Sequence, residues 1–363
     1  MRHFLCLLLL IPFSTFSQIK ISGKVISNVD KKPIANASVF LSNAMVGNKT
    51  NDDGIFILNN VRPGQYDLVI SIVGYETYHQ TVKITNSDTA LGDIEIAIKE
   101  NILQEVVIKP NKFRDRDYIT FERLFLGSSD NASDCKILNP DILNIQDNTE
   151  IRTLTVSTDD FLVIENKALG YRLKYLLTKF TMDYKTEELF YEGSVLFEEL
   201  AGTPSQQKRW QKKRLETYEG SSMHFLRSVL NADLTGNNFI VYKLNRKPNP
   251  AWRGGVNGKW IQSVDKTPLN ANDFAKLTDQ KGIFALNYPN CLYVMYTQKR
   301  DNSESSVYKS VDLPDYYGSI INFSAPYVLF DNNGVITNPY SCILEGSWGQ
   351  SHVADLLPVD YMP

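Results

Sequence analysis

Apolar and polar residues alternate along residues 19–99, and clusters of turn formers interrupt the alternation about every 8–12 residues. Gly23-Lys24-Val25-Ile26 opens one strand, and Pro33-Ile34-Ala35-Asn36-Ala37 turns into a second at Ser38-Val39-Phe40-Leu41. The turn Asn51-Asp52-Asp53-Gly54 leads into Ile55-Phe56-Ile57-Leu58. Arg62-Pro63-Gly64-Gln65 then launches residues 66–73, which keep a period of two. Short strands at this spacing predict a β-sandwich. Gly54 and Gly64 fall where turns need a positive φ or a tight reversal. The Asn51–Gly54 turn lacks the alternating carboxylates and distal Glu of an EF-hand, so it reads as a hairpin turn and not a calcium loop.

Residues 100–117 read as a linker. Pro110 ends the short run Leu103-Gln104-Glu105-Val106-Val107-Ile108, and Arg114-Asp115-Arg116-Asp117 is charged throughout. Residues 118–126 predict one short helix, and β-like runs follow at 154–165, 171–183 and 189–200. Two helices are predicted at the centre, 205–218 behind Pro204 and 221–230 behind Gly220. Trp210, Arg214 and Tyr218 recur at i, i+4 and i+8 on the first, and Met223, Leu226 and Val229 or Leu230 on the second. Strand patterns resume at 239–244, 282–286, 292–297, 319–323 and 327–330, with Asp331-Asn332-Asn333-Gly334 as a hairpin turn. Residues 118–363 therefore read as one β-rich domain with an inserted helical pair.

Composition adds a compartment. A chain of 363 residues suits two domains, and 43% hydrophobic with 22% charged residues is an ordinary globular balance. A net charge of -3 predicts no polyanionic partner for the chain as a whole. Residues 1–17 have the form of a secretory signal peptide: Arg2 and His3, an apolar run over 4–13, then Thr15-Phe16-Ser17 before cleavage at Gln18. The apolar run is about half the 20 residues a membrane span needs. Cys6 lies inside that run and not after it, so no lipid anchor is expected. No later run predicts a transmembrane segment. The chain is expected to be exported to the periplasm or to the cell envelope, associated with the outer membrane, with no nucleic-acid partner. Cys135, Cys291 and Cys342 remain after cleavage and allow one internal disulfide at most. Cys291 and Cys342 sit in strand-like runs and are the candidate pair; three buried thiols are the alternative.

Gly23-Lys24-Val25, Pro33-Ile34-Ala35-Asn36-Ala37-Ser38-Val39, Thr50-Asn51-Asp52-Asp53-Gly54-Ile55-Phe56 and Pro63-Gly64-Gln65-Tyr66-Asp67-Leu68, closing at Val73-Gly74-Tyr75, resemble the carboxypeptidase regulatory-like domain. The resemblance implies a transthyretin/Ig-like sandwich of seven strands over residues 18–99, common in envelope proteins of Bacteroidota. It implies an accessory module without catalytic residues, often placed ahead of outer-membrane transporters. Too few residues follow for a transporter barrel. Residues 118–363 resemble an uncharacterised region that accompanies this domain, which implies no activity. The expected fold class is mainly β, a sandwich followed by a larger α+β domain.

Candidate chemistry is sparse. His79, His224 and His352 form no zinc-protease spacing, and His352-Val353-Ala354-Asp355 is the nearest approach to a ligand pair. Ser306-Val307-Tyr308-Lys309 and Ser129-Asp130-Asn131 match two penicillin-binding motifs in the wrong order, with no Lys-Thr-Gly after them. Cys135 with His224, or Cys342 with His352, lacks any family signature. Glu165, Glu187, Glu188, Glu192, Glu198, Glu199 and Glu345 lie in or beside β runs and could supply a glycosidase pair. No catalytic residue, metal or cofactor is assigned. Lys208, Arg209, Trp210, Lys212, Lys213 and Arg214 are the candidate ligand contacts, suited to phosphate or sulfate groups. An amphipathic helix with Trp210 turned to the core explains them as well. Tyr293–Tyr296 and Asp315-Tyr316-Tyr317 could form a sugar platform or core packing. The expected function is a non-enzymatic envelope protein binding another envelope protein or a surface glycan. A carboxylate-dependent hydrolase of surface glycans and a carbohydrate-binding module are the alternatives.

Overall fold

A computed structural model describes residues 19–99, 114–253, 259–301 and 313–363. The expected signal peptide, the strand at 103–108 and Ser306–Lys309 lie outside the described residues. The fold is mainly β.

Seven strands build the N-terminal sandwich: β1 (Ile19–Ser27), β2 (Ser38–Leu41), β3 (Gly47–Lys49), β4 (Ile55–Val61), β5 (Gly64–Ser71), β6 (Tyr78–Ile84) and β7 (Thr89–Ile96). They form two sheets, ordered β4-β1-β7 and β3-β2-β5-β6. β1 and β7 run parallel, whereas β1 is antiparallel to β4. Alternation decides what is buried: Phe56 and Leu58 of β4 point inward, Ile55 and Ile57 outward. Ile21, Val25, Val39, Leu68 and Ile70 complete the core between the sheets. Gly54 has φ +75°, and a Cβ there would meet the Val25 carbonyl at 2.5 Å, so the turn requires glycine twice over. Asn51 Oδ1 accepts from the backbone N–H groups of Asp53 and Ile55, which is the hairpin-turn reading. On β2 and β5 the other face is buried too, where Phe40 and Val69 pack on Leu176.

The next unit begins earlier than expected. Helix α1 spans Arg114–Leu126, so the quartet read as linker is its first turn. Asp115 and Asp117 suit a helix N-terminus, and Arg116 binds Asp117 at 2.8 Å and Asp147 at 2.9 Å. Then come β8 (Cys135–Ile137), β9 (Leu143–Asn148), β10 (Thr153–Thr158), β11 (Leu162–Asn166), β12 (Tyr171–Asp183) and β13 (Glu188–Glu199). The run expected at 154–165 is two strands, because β12 is long enough to take both along one edge. β11 pairs with its start and β10 with its end, while β13 covers the other edge. Phe121 and Phe125 of α1 lie on this sheet, in edge-to-face contact with Phe180 and Tyr175.

Helices α2 (Pro204–Tyr218) and α3 (Ser222–Leu230) follow, within a residue of expectation. Thr203 and Gln206 form a capping box around Pro204. The remaining strands are β14 (Phe239–Pro248), β15 (Trp260–Leu269), β16 (Ala275–Leu277), β17 (Ile283–Leu286), β18 (Cys291–Arg300), β19 (Tyr316–Phe323), β20 (Val328–Asp331) and β21 (Cys342–Gly346). They form sheets β15-β14-β18-β19-β21 and β16-β17-β20. Short helices α4 (Ala271–Phe274) and α5 (Ser347–Gln350) complete the chain. Phe225, Phe239, Phe274 and Trp348 lead this unit's core, distinct from the core under α1.

The candidate disulfide is absent, and Cys291 and Cys342 are free thiols. β19 runs between their strands, which puts them about 10 Å apart, beyond the reach of a bridge. They also face opposite sides of the sheet: Cys291 packs with Tyr293 and Met295, Cys342 with the Phe225 core.

The C-terminal residues strap the units together. Val353 and Leu357 enter the core under α1, and Val359 enters the sandwich core. Arg227 of α3 donates to the carbonyls of Val359 at 2.8 Å, Tyr361 at 3.0 Å and Asn333 at 2.9 Å. Arg62 of the sandwich donates to the Asp360 carbonyl at 2.9 Å.

Two measurements follow from these contacts. Arg227→Ala removes a cation and three acceptor contacts, and is expected to cost about 2–3 kcal/mol in urea unfolding of the full chain. Arg209→Ala on the surface should cost less than about 0.5 kcal/mol. In the sandwich, His79 Nδ1 sits 2.8 Å from Asp67, and this hydrogen bond raises His79 above 6.5. A raised folded value means that the pair's stabilisation is complete below 6.5 and lost as pH rises through the folded value. An NMR titration should show His79 titrating above 6.5, with Asp67→Asn moving it down.

Candidate interaction surface

Helix α2 is pinned by the very residues that made it a candidate site. Trp210 is buried and donates through Nε1 to the Lys167 carbonyl at 2.8 Å. Gly170, at φ +70°, and Gly202 leave the space its ring fills, since a Cβ on either would lie within 2.5 Å of it. Arg214 is buried as well. Its Nε donates to the Leu169 carbonyl at 2.8 Å, its Nη1 to Glu199 at 2.7 Å, and its guanidinium lies 3.8 Å from the Tyr171 ring centroid. Trp210 and Arg214 are thus anchors of α2 on the turn before β12 and not ligand contacts.

That anchoring turns the remaining cations outward. Lys208, Arg209 and Lys212 are exposed and Lys213 is half-buried. At 100° per residue they flank the side opposite Trp210 and Arg214. Glu216 lies 3.7 Å from Lys212 and 3.8 Å from Lys213, weak surface pairs. The candidate set therefore divides into two anchors and one cationic ridge.

Four of the candidate carboxylates, Glu165, Glu198, Glu199 and Glu345, are drawn into ion pairs. Glu165 meets Arg172 at 3.4 Å and Lys167 at 3.5 Å. Glu198 meets Lys174 at 2.5 Å. Glu345 takes both arms of Arg246, at 2.5 and 3.1 Å, on a side chain 5% exposed. Glu187 and Glu188 stand at the exposed turn between β12 and β13, and Glu192 lies opposite Lys179.

Two motifs far apart in the chain do meet. Ser129 Oγ donates to Asp355 Oδ1 at 2.9 Å, and Asn131 Nδ2 donates to the same oxygen at 2.7 Å and to Thr217 at 3.0 Å. Burial pushes Asp355 up, opposed by those donors. His352 is not their relay: its ring nitrogens lie 2.6 and 3.0 Å from the carbonyls of Leu124 and Gly349. With its hydrogen on Asp355 and no imidazole acceptor beside it, Ser129 lacks the histidine base of a serine nucleophile. The node ties α1, α2 and the C-terminal strap together. Sequence reading placed Asp331 in a turn and Asp355 beside His352, but the burial that raises them and Asp360 was not legible, because burial of a single Asp leaves no spacing pattern.

The thiols are unactivated. Burial pushes Cys135 up to about 12 and Cys342 up to about 11, so little thiolate exists at neutral pH. His224 is lowered by burial and holds the Gly220 N–H on Nδ1 at 3.1 Å. Among the described residues, no three His, Cys, Asp or Glu side chains are grouped to hold a metal ion. No helix among them is long and apolar enough to cross a membrane. A cavity of about 10 Å³ beside Phe225 and Trp348 is lined by apolar residues and Ser222, room for one water at most. Tyr293 and Tyr296 of the expected sugar platform are core residues.

No curated protein matches the chain. Among solved structures it is similar to an interface mutant of a type II cohesin–X-dockerin complex from Acetivibrio cellulolyticus, at 22% identity and a TM-score of 0.20, over 22% of this chain and 56% of that one. It is similar to the group B streptococcus pilus 2b backbone protein at 19% identity and a TM-score of 0.20, over 22% of this chain and 40% of that one. A longer alignment, over 79% of this chain and 90% of the other, reaches BcpA, the major pilin subunit of Bacillus cereus, at 10% identity and a TM-score of 0.18. Scores this low lend no weight to a shared role. Residues 21–108 match the CarboxypepD_reg-like domain model, and the N-terminal sandwich of this chain is a domain of that family.

Proposed function

We propose that this chain is an exported, non-enzymatic protein of the cell envelope. In this reading the CarboxypepD_reg-like sandwich is an accessory module and the β-rich remainder binds an envelope protein or a surface glycan. The observation that carries it is the fate of the reactive groups. Ser129 donates to an acid, His352 faces two carbonyls, the thiols are protonated, and most of the candidate carboxylates hold cations. None of these contacts pairs a nucleophile with an imidazole base beside an oxyanion donor, the geometry that acyl transfer needs. The cationic ridge of α2 stays open to solvent and suits a negatively charged partner surface. The apolar run over residues 4–13 supports export.

Three outcomes are expected. Fractionation of expressing cells should place the chain in the envelope fraction, with an N-terminus at Gln18; an intact Met1 in the cytosolic fraction would remove the export reading. Purified chain should release no product from a panel of peptides and glycans. Turnover abolished by Asp355→Asn or Glu192→Gln would overturn the non-enzymatic reading. In the native state at pH 8, Cys135 and Cys342 should resist iodoacetamide while the urea-unfolded chain is labelled; rapid native labelling of either would restore a nucleophile.

A further inference from the structure

The β12–β13 hairpin packs one face on α1. Its opposite face carries Lys179, Thr181, Phe190 and Glu192, with Lys179 opposite Glu192 and Thr181 opposite Phe190. Tyr340, from the turn before β21, stacks on Phe190 with ring centroids 3.4 Å apart and planes inclined by 18°. Tyr340 is 55% exposed. One ring face is therefore covered by Phe190 and the other is open to solvent. The turn that presents it is rigid: Asn338 Oδ1 accepts from the Leu329 N–H at 2.7 Å and from Ser341 Oγ at 3.0 Å, and Nδ2 donates to the Tyr327 carbonyl at 3.1 Å. A flat apolar surface held in place before a ligand arrives lowers the ordering cost of binding.

The charges beside this ring behave differently from the other charges on the same hairpin. Glu198 and Glu199 are held by Lys174 and Arg214. Glu192 and Lys179 make no ion pair or hydrogen bond among the described residues, although register sets them opposite each other. Burial, and then the nearby Glu192 carboxylate, hold the Tyr340 phenol above its ordinary range, which keeps its O–H as a donor. An open aromatic face with its own phenol, an uncommitted carboxylate nearby and an ammonium opposite that carboxylate in the register matches a pyranose ring. Such a sugar has a face of C–H bonds to lay on the aromatic ring, and hydroxyls that both donate and accept.

We infer that Tyr340, backed by Phe190 and near Glu192, with Lys179 opposite Glu192 on the hairpin, is a binding platform for a hexopyranose unit of a neutral glycan. The sugar's C–H face lies on the open side of Tyr340. Its hydroxyls donate to Glu192 and accept from Lys179. This rests on the binding reading above and gives it a ligand class.

Calorimetry of the full chain against cellohexaose, maltohexaose, laminarihexaose and chitohexaose tests it. At least one is expected to bind with a Kd in the micromolar to low millimolar range. Tyr340→Ala should weaken that binding about tenfold or more, Glu192→Gln should weaken it less, and Tyr340→Phe should retain most of it. Tyr327→Ala, at an exposed tyrosine outside the platform, is the control and should bind as wild type. The near-ultraviolet circular dichroism and melting curve of Tyr340→Ala establish that the variant is folded. Binding of none of the four sugars, or binding that a folded Tyr340→Ala leaves unchanged, overturns the platform but leaves the non-enzymatic reading standing. Hydrolysis of a bound sugar would overturn the latter and spare the platform.

Discussion

Arg227 is the contact on which the arrangement of the units depends. Its guanidinium reaches the Asn333 carbonyl in its own unit, and the Val359 and Tyr361 carbonyls of the C-terminal strap. A planar fork with five donors can hold several backbone acceptors at once, which a lysine cannot. With those carbonyls held, Val359 seats in the sandwich core and its N–H donates to the Asn43 carbonyl at 2.7 Å. A few residues of chain thereby join three cores. Each core alone would present an apolar edge to water.

The strap also carries a cost. Asp360 is pushed up by burial, and its Oδ1 has no hydrogen-bond partner among the described residues. Asp355, a turn earlier, is similarly raised, and its Oδ2 has no hydrogen-bond partner among the described residues. Buried polar atoms left unmatched are expensive, a cost offset by the strap's apolar anchors, by Arg227 and by the hydrogen bonds of Ser129 and Asn131 to Asp355. The contact of Ala44 with Leu196, continued by the hydrogen bonds Asn43 N–H to Val195 and Phe197 N–H to Ala44, supplies a second seam independent of those acids.

Where the fold was legible in sequence, one physical rule decided it. Tyr66, Leu68 and Ile70 recur at a period of two because they share the face of β5 that meets the sandwich core. Trp210, Arg214 and Tyr218 share one side of α2 because that side is buried. Strand β15 was not legible, because it is an edge strand with no buried residue and seven of its ten exposed, and alternation carries no signal without a core to face. The charged start of α1 misled for the opposite reason. Four consecutive charges look like solvated linker, yet Asp117 is 4% exposed because Arg116 neutralises it. Candidate chemistry fared similarly. The α2 cations were visible as a cluster, but which were anchors depended on Gly170 and Gly202 making room for an indole. The Phe190–Tyr340 pair had no signature at all, since its partners are 150 residues apart in the chain.

That separation ties the platform to the strap. Phe190 belongs to the sheet under α1, and Tyr340 to the unit whose core holds Phe225. The rings stack only while the two units keep their relative position, and that position is set by Arg227 and the strap. By linkage, a ligand that binds the stacked arrangement and not the parted one stabilises the seam in proportion to its saturation. Contacts far from the rings, such as that of Arg227 with Val359, would then tune affinity without touching the sugar. A surface assembled from two cores is more sensitive to the joint between them than to either core.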